Sequence, residues 1–210
     1  MFDDIKVLSK GLNASFKITI FLPDDYNRND LYYKTLFIVG SSNPFLIPTY
    51  ELEQKLVNRN MIGVAIYPNL DIKKNTLLFN TFNDKYGFCE IYESFIINEL
   101  IPLLTKKYRI DSCKNNRIIL GYKDTAILAY SLARHYPNSF GRILMYELNV
   151  ESFKNSFLTD LISRFDPNEG LFFTMQDTTT AQEIENRLRM FGATSYKWCT
   201  NNIALLLENI

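Results

Sequence analysis

The amino-acid sequence predicts an α/β fold, with a mostly parallel central sheet flanked by helices on both faces. Two observations carry that expectation. Short continuous apolar runs, Thr35–Val39 (TLFIV) and Ile62–Tyr67 (IGVAIY), lack the polar alternation of a half-exposed strand and suit strands buried on both faces. They alternate with longer stretches whose apolar residues recur at helical spacing, and that alternation builds a parallel sheet with helical crossovers.

Taken in order, residues 16–22 (FKITIFL) alternate and are β-branched, and Pro23-Asp24-Asp25 ends them as a turn. Residues 35–39 form the first buried strand, residues 50–58 a helix and residues 62–67 the second buried strand. Residues 89–108 carry Ile91, Phe95, Ile96, Leu100, Leu103 and Leu104 on one helical face, and Pro102 is expected to kink that helix. Residues 117–120 (RIIL) run as a strand into Gly121, and residues 125–136 follow as a helix in which Ala126, Ala129 and Ala133 permit close packing on the sheet. Strands are expected at 142–148, 171–175 and 195–199, with helices at 181–190 and 203–210. No repeat, low-complexity tract or linker interrupts the pattern, so residues 1–210 read as one domain. In such sheets ligands sit beyond the carboxyl ends of the strands. That singles out residues 40–43, 68–71, 121–125 and 176–178.

Bulk properties narrow the function. Basic and acidic residues number 23 each, so the formal net charge is zero. A nucleic-acid footprint needs a basic excess, and self-repulsion this weak tolerates partners. The expected partners are a protein or a second copy of the chain, or a small-molecule or sugar ligand, with neither nucleic acid nor a membrane. Cys89, Cys113 and Cys199 have neither disulfide-framework nor metal-ligand spacing, so no metal or cofactor is expected. The start Met1-Phe2-Asp3-Asp4 lacks a secretory pattern and no apolar run is long enough to cross a bilayer; a cytoplasmic location is the expectation.

Three stretches bear on identity. The first is 18–39, with Leu22-Pro23-Asp24-Asp25-Tyr26 at its turn. The second is ESFIINELIPLLTKKYRID, running through the helix of residues 92–108. The third is RIILGYKDTAILAYSLARHYPNSF, residues 117–140. Their order and spacing resemble the putative-esterase branch of the α/β-hydrolases, the group that includes esterase D and enterochelin esterases, over the chain to about residue 148. The resemblance implies an α/β-hydrolase-like fold and places residues 121–125 at the nucleophile elbow.

The same likeness removes the chemistry. The elbow motif G-x-S-x-G exposes a serine Oγ on a strained turn between small neighbours. Here the five positions are Gly121, Tyr122, Lys123, Asp124 and Thr125, so a lysine stands where the nucleophile belongs and a threonine where the last glycine belongs. The family's His-Gly beside the oxyanion site matches Val39-Gly40. A triad also needs an imidazole base. The single histidine, His135, lies twelve residues past Lys123 within the following helix, and the loop that would carry the catalytic histidine is Thr200-Asn201-Asn202. Asp177 matches the acid position, and without a base to orient it reads as a turn or N-cap residue.

Two readings of Lys123 stand at this point. A lysine with a lowered pKa would serve as a Schiff-base or general-base residue; alternatively it points into a cleft or pairs with a carboxylate. None of the cysteines occupies the elbow. The leading expectation is a non-catalytic, pseudo-esterase module for binding or scaffolding, with Gly40, Ser41, Ser42, Tyr67, Tyr122, Lys123, Asp124, Asp177 and Asn201 around the former mouth. The alternative is a carboxylic-ester hydrolase whose nucleophile comes from another loop, for instance Ser41 or Ser42.

Overall fold

The structure is a computed structural model of the chain and describes residues 2–40, 49–67, 92–150, 157–159, 161, 170–193, 196–199 and 206–208. Among the described residues eight strands make one sheet: β1 Phe2–Ser9, β2 Ala14–Phe21, β3 Thr35–Val39, β4 Ile62–Tyr67, β5 Arg117–Tyr122, β6 Arg142–Tyr146, β7 Gly170–Thr174 and β8 Tyr196–Cys199. Their spatial order is β1-β2-β4-β3-β5-β6-β7-β8. The β1–β2 and β2–β4 pairs are antiparallel and every later pair is parallel. The described helices are α1 Thr49–Asn58, α2, α3 Asp124–His135 and α4 Thr178–Met190. Helix α2 joins a π-helical stretch, Phe95–Leu100, to an α-helical one, Ile101–Lys107.

The sheet has an apolar layer on each face. One joins Phe37, Val39, Ile119 and Phe173 to α2, α3 and α4; the other joins Leu36, Ile38, Leu120 and Leu144 to Leu52 and Leu56 of α1 and to Leu206 and Leu207. Because successive side chains in a strand point to opposite faces, a strand between two such layers is apolar except where a polar group is satisfied, as the Thr35 hydroxyl is by the Tyr33 carbonyl at 3.1 Å. All five residues of β3 are buried accordingly.

Departures from the expected elements have local causes. Strand β1 was not expected. Its outer edge pairs with no strand among the described residues and its residues mostly alternate between exposed and half-buried, so Asp3, Asp4 and Lys6 read as a polar terminus. The backbone ladder from Phe2↔Phe21 to Ser9↔Ala14 makes it a strand all the same. Pro102 brings no N–H to the ladder, and the helix passes through π-helical turns immediately before it. Strand β6 stops at Tyr146 rather than 148, because Glu147 takes φ +51° and turns the chain. Helix α4 starts three residues earlier than expected, at Thr178. Of the closing helix expected at 203–210, only residues 206–208 lie within the described part.

Two of the motifs quoted above meet in space. The Arg109 guanidinium lies 3.9 Å from the centre of the Tyr26 ring and donates to the Tyr26 carbonyl, while the Arg109 N–H donates to the Tyr26 hydroxyl at 3.1 Å. A stacked guanidinium of this kind ties the turn after β2 to the segment before β5.

Candidate functional site

The strand–turn–helix at residues 117–135 is built as a nucleophile elbow. Lys123 sits between β5 and α3 at φ +50°, ψ −115°, a backbone conformation costly for any residue with a side chain. The turn is held from both ends. The Lys123 N–H donates to the Tyr146 carbonyl at 2.9 Å, and the Ala126 N–H donates to the Lys123 carbonyl at 3.0 Å. Gly121 is required where it stands: a Cβ there would lie 2.1 Å from the Thr125 carbonyl oxygen and 2.6 Å from the Ala126 Cα.

Thr125 has a different job from the glycine it replaces in the motif. Its side chain is buried and its Oγ1 donates to the Val39 carbonyl at 2.7 Å, with the Tyr122 carbonyl 3.0 Å away, while accepting from the Tyr122 N–H at 2.9 Å. One hydroxyl thus ties the elbow to the carboxyl end of β3, which in a hydrolase borders the oxyanion site.

The Lys123 ammonium projects into solvent with 54% of its side chain exposed, and its Nζ lies 3.4 Å from Glu147 Oε2. Hydrogen bonding to Tyr122, then the Glu147 carboxylate, holds the ammonium above the ordinary lysine range. A group whose pKa rises is more fully charged at neutral pH, so this direction runs against the lowered-pKa reading of Lys123 and with the carboxylate-paired one. Borohydride trapping with simple aldehydes should therefore label lysines across the surface, and peptide mass spectrometry showing selective labelling at Lys123 would contradict this.

Lys123 and Glu147 stand together because β5 and β6 pair with Tyr122 opposite Tyr146, which makes them the next residues along the two strands. Both have positive φ. The Glu147 N–H is fixed by the Thr174 hydroxyl at 2.7 Å, and the Leu148 N–H by the Thr174 carbonyl at 2.8 Å. A cleft of about 540 Å³ opens beside the pair at the carboxyl ends of β5, β6 and β7, lined also by Asn149, Met175, Gln176, Asp177 and Thr180. Its size falls within the roughly 300–1,000 Å³ of small-molecule sites.

The other singled-out residues distribute unevenly. Asp177 is on the cleft wall as the N-cap of α4, accepting from the Thr179 and Thr180 N–H groups at 3.0 and 3.1 Å, and its second oxygen takes the Thr180 hydroxyl. Tyr122 is not among the residues lining this cleft; it is buried and stacked on Tyr146, ring centres 5.2 Å apart, with the Lys123 Nζ 5.1 Å from its own ring centre. Gly40 and Tyr67 face each other, a Cβ on Gly40 coming 3.2 Å from the Tyr67 ring, and neither lines this cleft. Ser41, Ser42, Asn201 and the Asp124 side chain lie outside the described part of the structure. Glu147 and Asn149 were not anticipated: Glu147 was counted inside a strand, and its one signal is an acidic residue closing an apolar run.

His135 ends α3, about 18 Å along the helix from the elbow at 1.5 Å per residue. Its Nδ1 is 2.7 Å from Oε2 of the buried Glu93. The imidazole is thus tied to Glu93, in the helical turn just before the π-helical stretch of α2, away from the cleft. Among the described residues no group of three or more His, Cys, Asp or Glu side chains comes together as a metal site would require, and no helix is long and apolar enough to cross a membrane.

Sheet order, crossovers and a strained turn at the end of the central strand define the chain as an α/β-hydrolase-fold protein with a lysine at the apex of that turn. The chain belongs to the Putative esterase family, whose model matches residues 9–188. It is similar to the uncharacterized protein YjcH of Bacillus subtilis (strain 168), 27% identical over 156 residues, which cover 70% of this chain and 61% of that protein. The chain therefore matches less than two thirds of this relative's length. Among solved structures it resembles a ferulic acid esterase (TM-score 0.76, 16% identity, 100% of this chain and 99% of that one). It also resembles an IroE-like serine hydrolase from Shewanella oneidensis (TM-score 0.78, 13% identity, 100% and 78%). A third likeness is to the enterobactin esterase FES of Shigella flexneri (TM-score 0.74, 13% identity, 100% and 57%). At these identities the likeness shows the fold.

Proposed function

We propose that this chain is a non-catalytic member of its family, a pseudo-esterase that keeps the elbow and the adjoining cleft for binding. The observation that carries the reading is the elbow itself. Acyl transfer needs a nucleophilic oxygen at the apex, an imidazole in contact with it, and room for an oxyanion beside backbone N–H groups. The apex here holds a charged ammonium paired with Glu147, and the sequence's one histidine is paired with Glu93 at the far end of α3. Thr125 locks the turn onto β3 with a buried hydroxyl, so the elbow is a fixed wall of the cleft.

Family membership and the esterase activities named for the similar structures favour a second reading, a hydrolase of carboxylic esters with its nucleophile on another loop, such as Ser41 or Ser42. Hydrolysis of short-chain p-nitrophenyl esters separates the two. The binding reading expects turnover no faster than a heat-inactivated control, and the same from Lys123→Ser, since a serine at the apex has no base to take its proton. Turnover above the control that disappears on replacing one serine would establish the hydrolase instead.

A further inference from the structure

We infer that the cleft beside Lys123 and Glu147 is a site for a free α-amino acid with an aliphatic side chain, an inference that rests on the binding reading above. Two opposite charges, Lys123 Nζ and Glu147 Oε2, stand 3.4 Å apart on the cleft wall. Each is carried on a positive-φ residue immediately after its strand, so the fold accepts strain twice to present them. With the Lys123 side chain 54% exposed, the pair adds little to stability, which makes structure a poor reason for it.

The charge pattern selects among ligands. An anion at Lys123 would stand against Glu147, with the Asp177 carboxylate on the same wall, and a lone cation at Glu147 would stand against Lys123. A molecule bearing both charges side by side replaces one ion pair with two and leaves the cleft's charge balance unchanged. An α-amino acid has its ammonium and carboxylate on one carbon, a geometry that matches a pair this close. The remaining wall suits the rest of such a molecule. Leu148, Val150 and Met175 give an apolar surface for the side chain, and the Asn149 and Gln176 amides give polar groups around the charged end. A peptide, whose terminal charges are separated by its own length, fits the pair poorly.

Thermal shift and calorimetry on the whole chain test this with L-leucine and L-methionine, against N-acetyl-L-leucine, which keeps only the negative charge, and L-leucinamide, which keeps only the positive one. The expected result is a melting temperature raised by roughly 5 °C at a hundred-fold excess over Kd for either free amino acid, with no shift from the one-charge analogues. Lys123→Met and Glu147→Gln should each abolish the shift. No binding of either amino acid, or equal binding of N-acetyl-L-leucine, overturns the inference. Ester turnover is measured on the same preparation: without turnover, absence of amino-acid binding sinks this inference alone, whereas turnover that tracks one serine removes the binding reading and the inference with it.

Discussion

Gly121→Ala is expected to cost about 3 kcal/mol of stability, because the added methyl has nowhere to go. Its Cβ would fall 2.1 Å from the Thr125 carbonyl oxygen and 2.6 Å from the Ala126 Cα. Both contacts are backbone of the first turn of α3, which packs on β5 and β6 with Ala126, Ala129 and Ala133 fully buried. A flexible side chain could swing aside; a helix laid on a sheet cannot without losing its packing. For a chain of this size the loss corresponds to roughly 6–12 °C in melting temperature. A melt within about 2 °C of the native protein would mean that α3 does not approach β5 this closely.

Thr125→Val is the second large effect. The substitution keeps the shape and removes one oxygen, so its cost isolates hydrogen bonding. That oxygen accepts from the Tyr122 N–H at 2.9 Å and donates to the Val39 carbonyl at 2.7 Å, all in buried surroundings. Leaving those groups without it is expected to cost about 2–4 kcal/mol. Thr125→Gly, which restores the residue of the family motif, should be worse still, since it adds backbone freedom to the same loss. Equilibrium denaturation of the two variants checks both statements. A glycine variant as stable as the native chain would show that the hydroxyl does not fasten the elbow to β3.

Much of the fold was legible in the sequence, for a definite reason. Strands β3 and β4 begin and end where the apolar runs do, because burial on both faces leaves no polar position to blur their limits. Strand β1 was not legible. Asp4 bonds to Thr19 and pairs with Lys17 across the ladder, and these partners are invisible until the hairpin forms. Helix α4 opens on Thr178, Thr179 and Thr180, weak helix formers, and only the Asp177 cap reveals its true start.

The site divides in the same way. The elbow could be placed from Gly121 and the residues around it, since the motif is local in the chain. The partner of Lys123 could not. Glu147 is distant in sequence, and the two meet only through the β5–β6 register and the turn that Glu147 itself makes. Tyr122, expected at the mouth, is taken by its stack on Tyr146 for the same reason of register.

The central claim is that the chain carries no activated serine nucleophile, and fluorophosphonate labelling followed by intact-mass measurement tests it most directly. The probe reacts with an activated serine wherever in the chain that serine lies, so the outcome does not depend on placing Ser41 or Ser42. The native protein should retain its unmodified mass while a serine hydrolase in the same tube is fully labelled. A stoichiometric adduct on one serine would contradict the account and make this chain a working member of the esterase family.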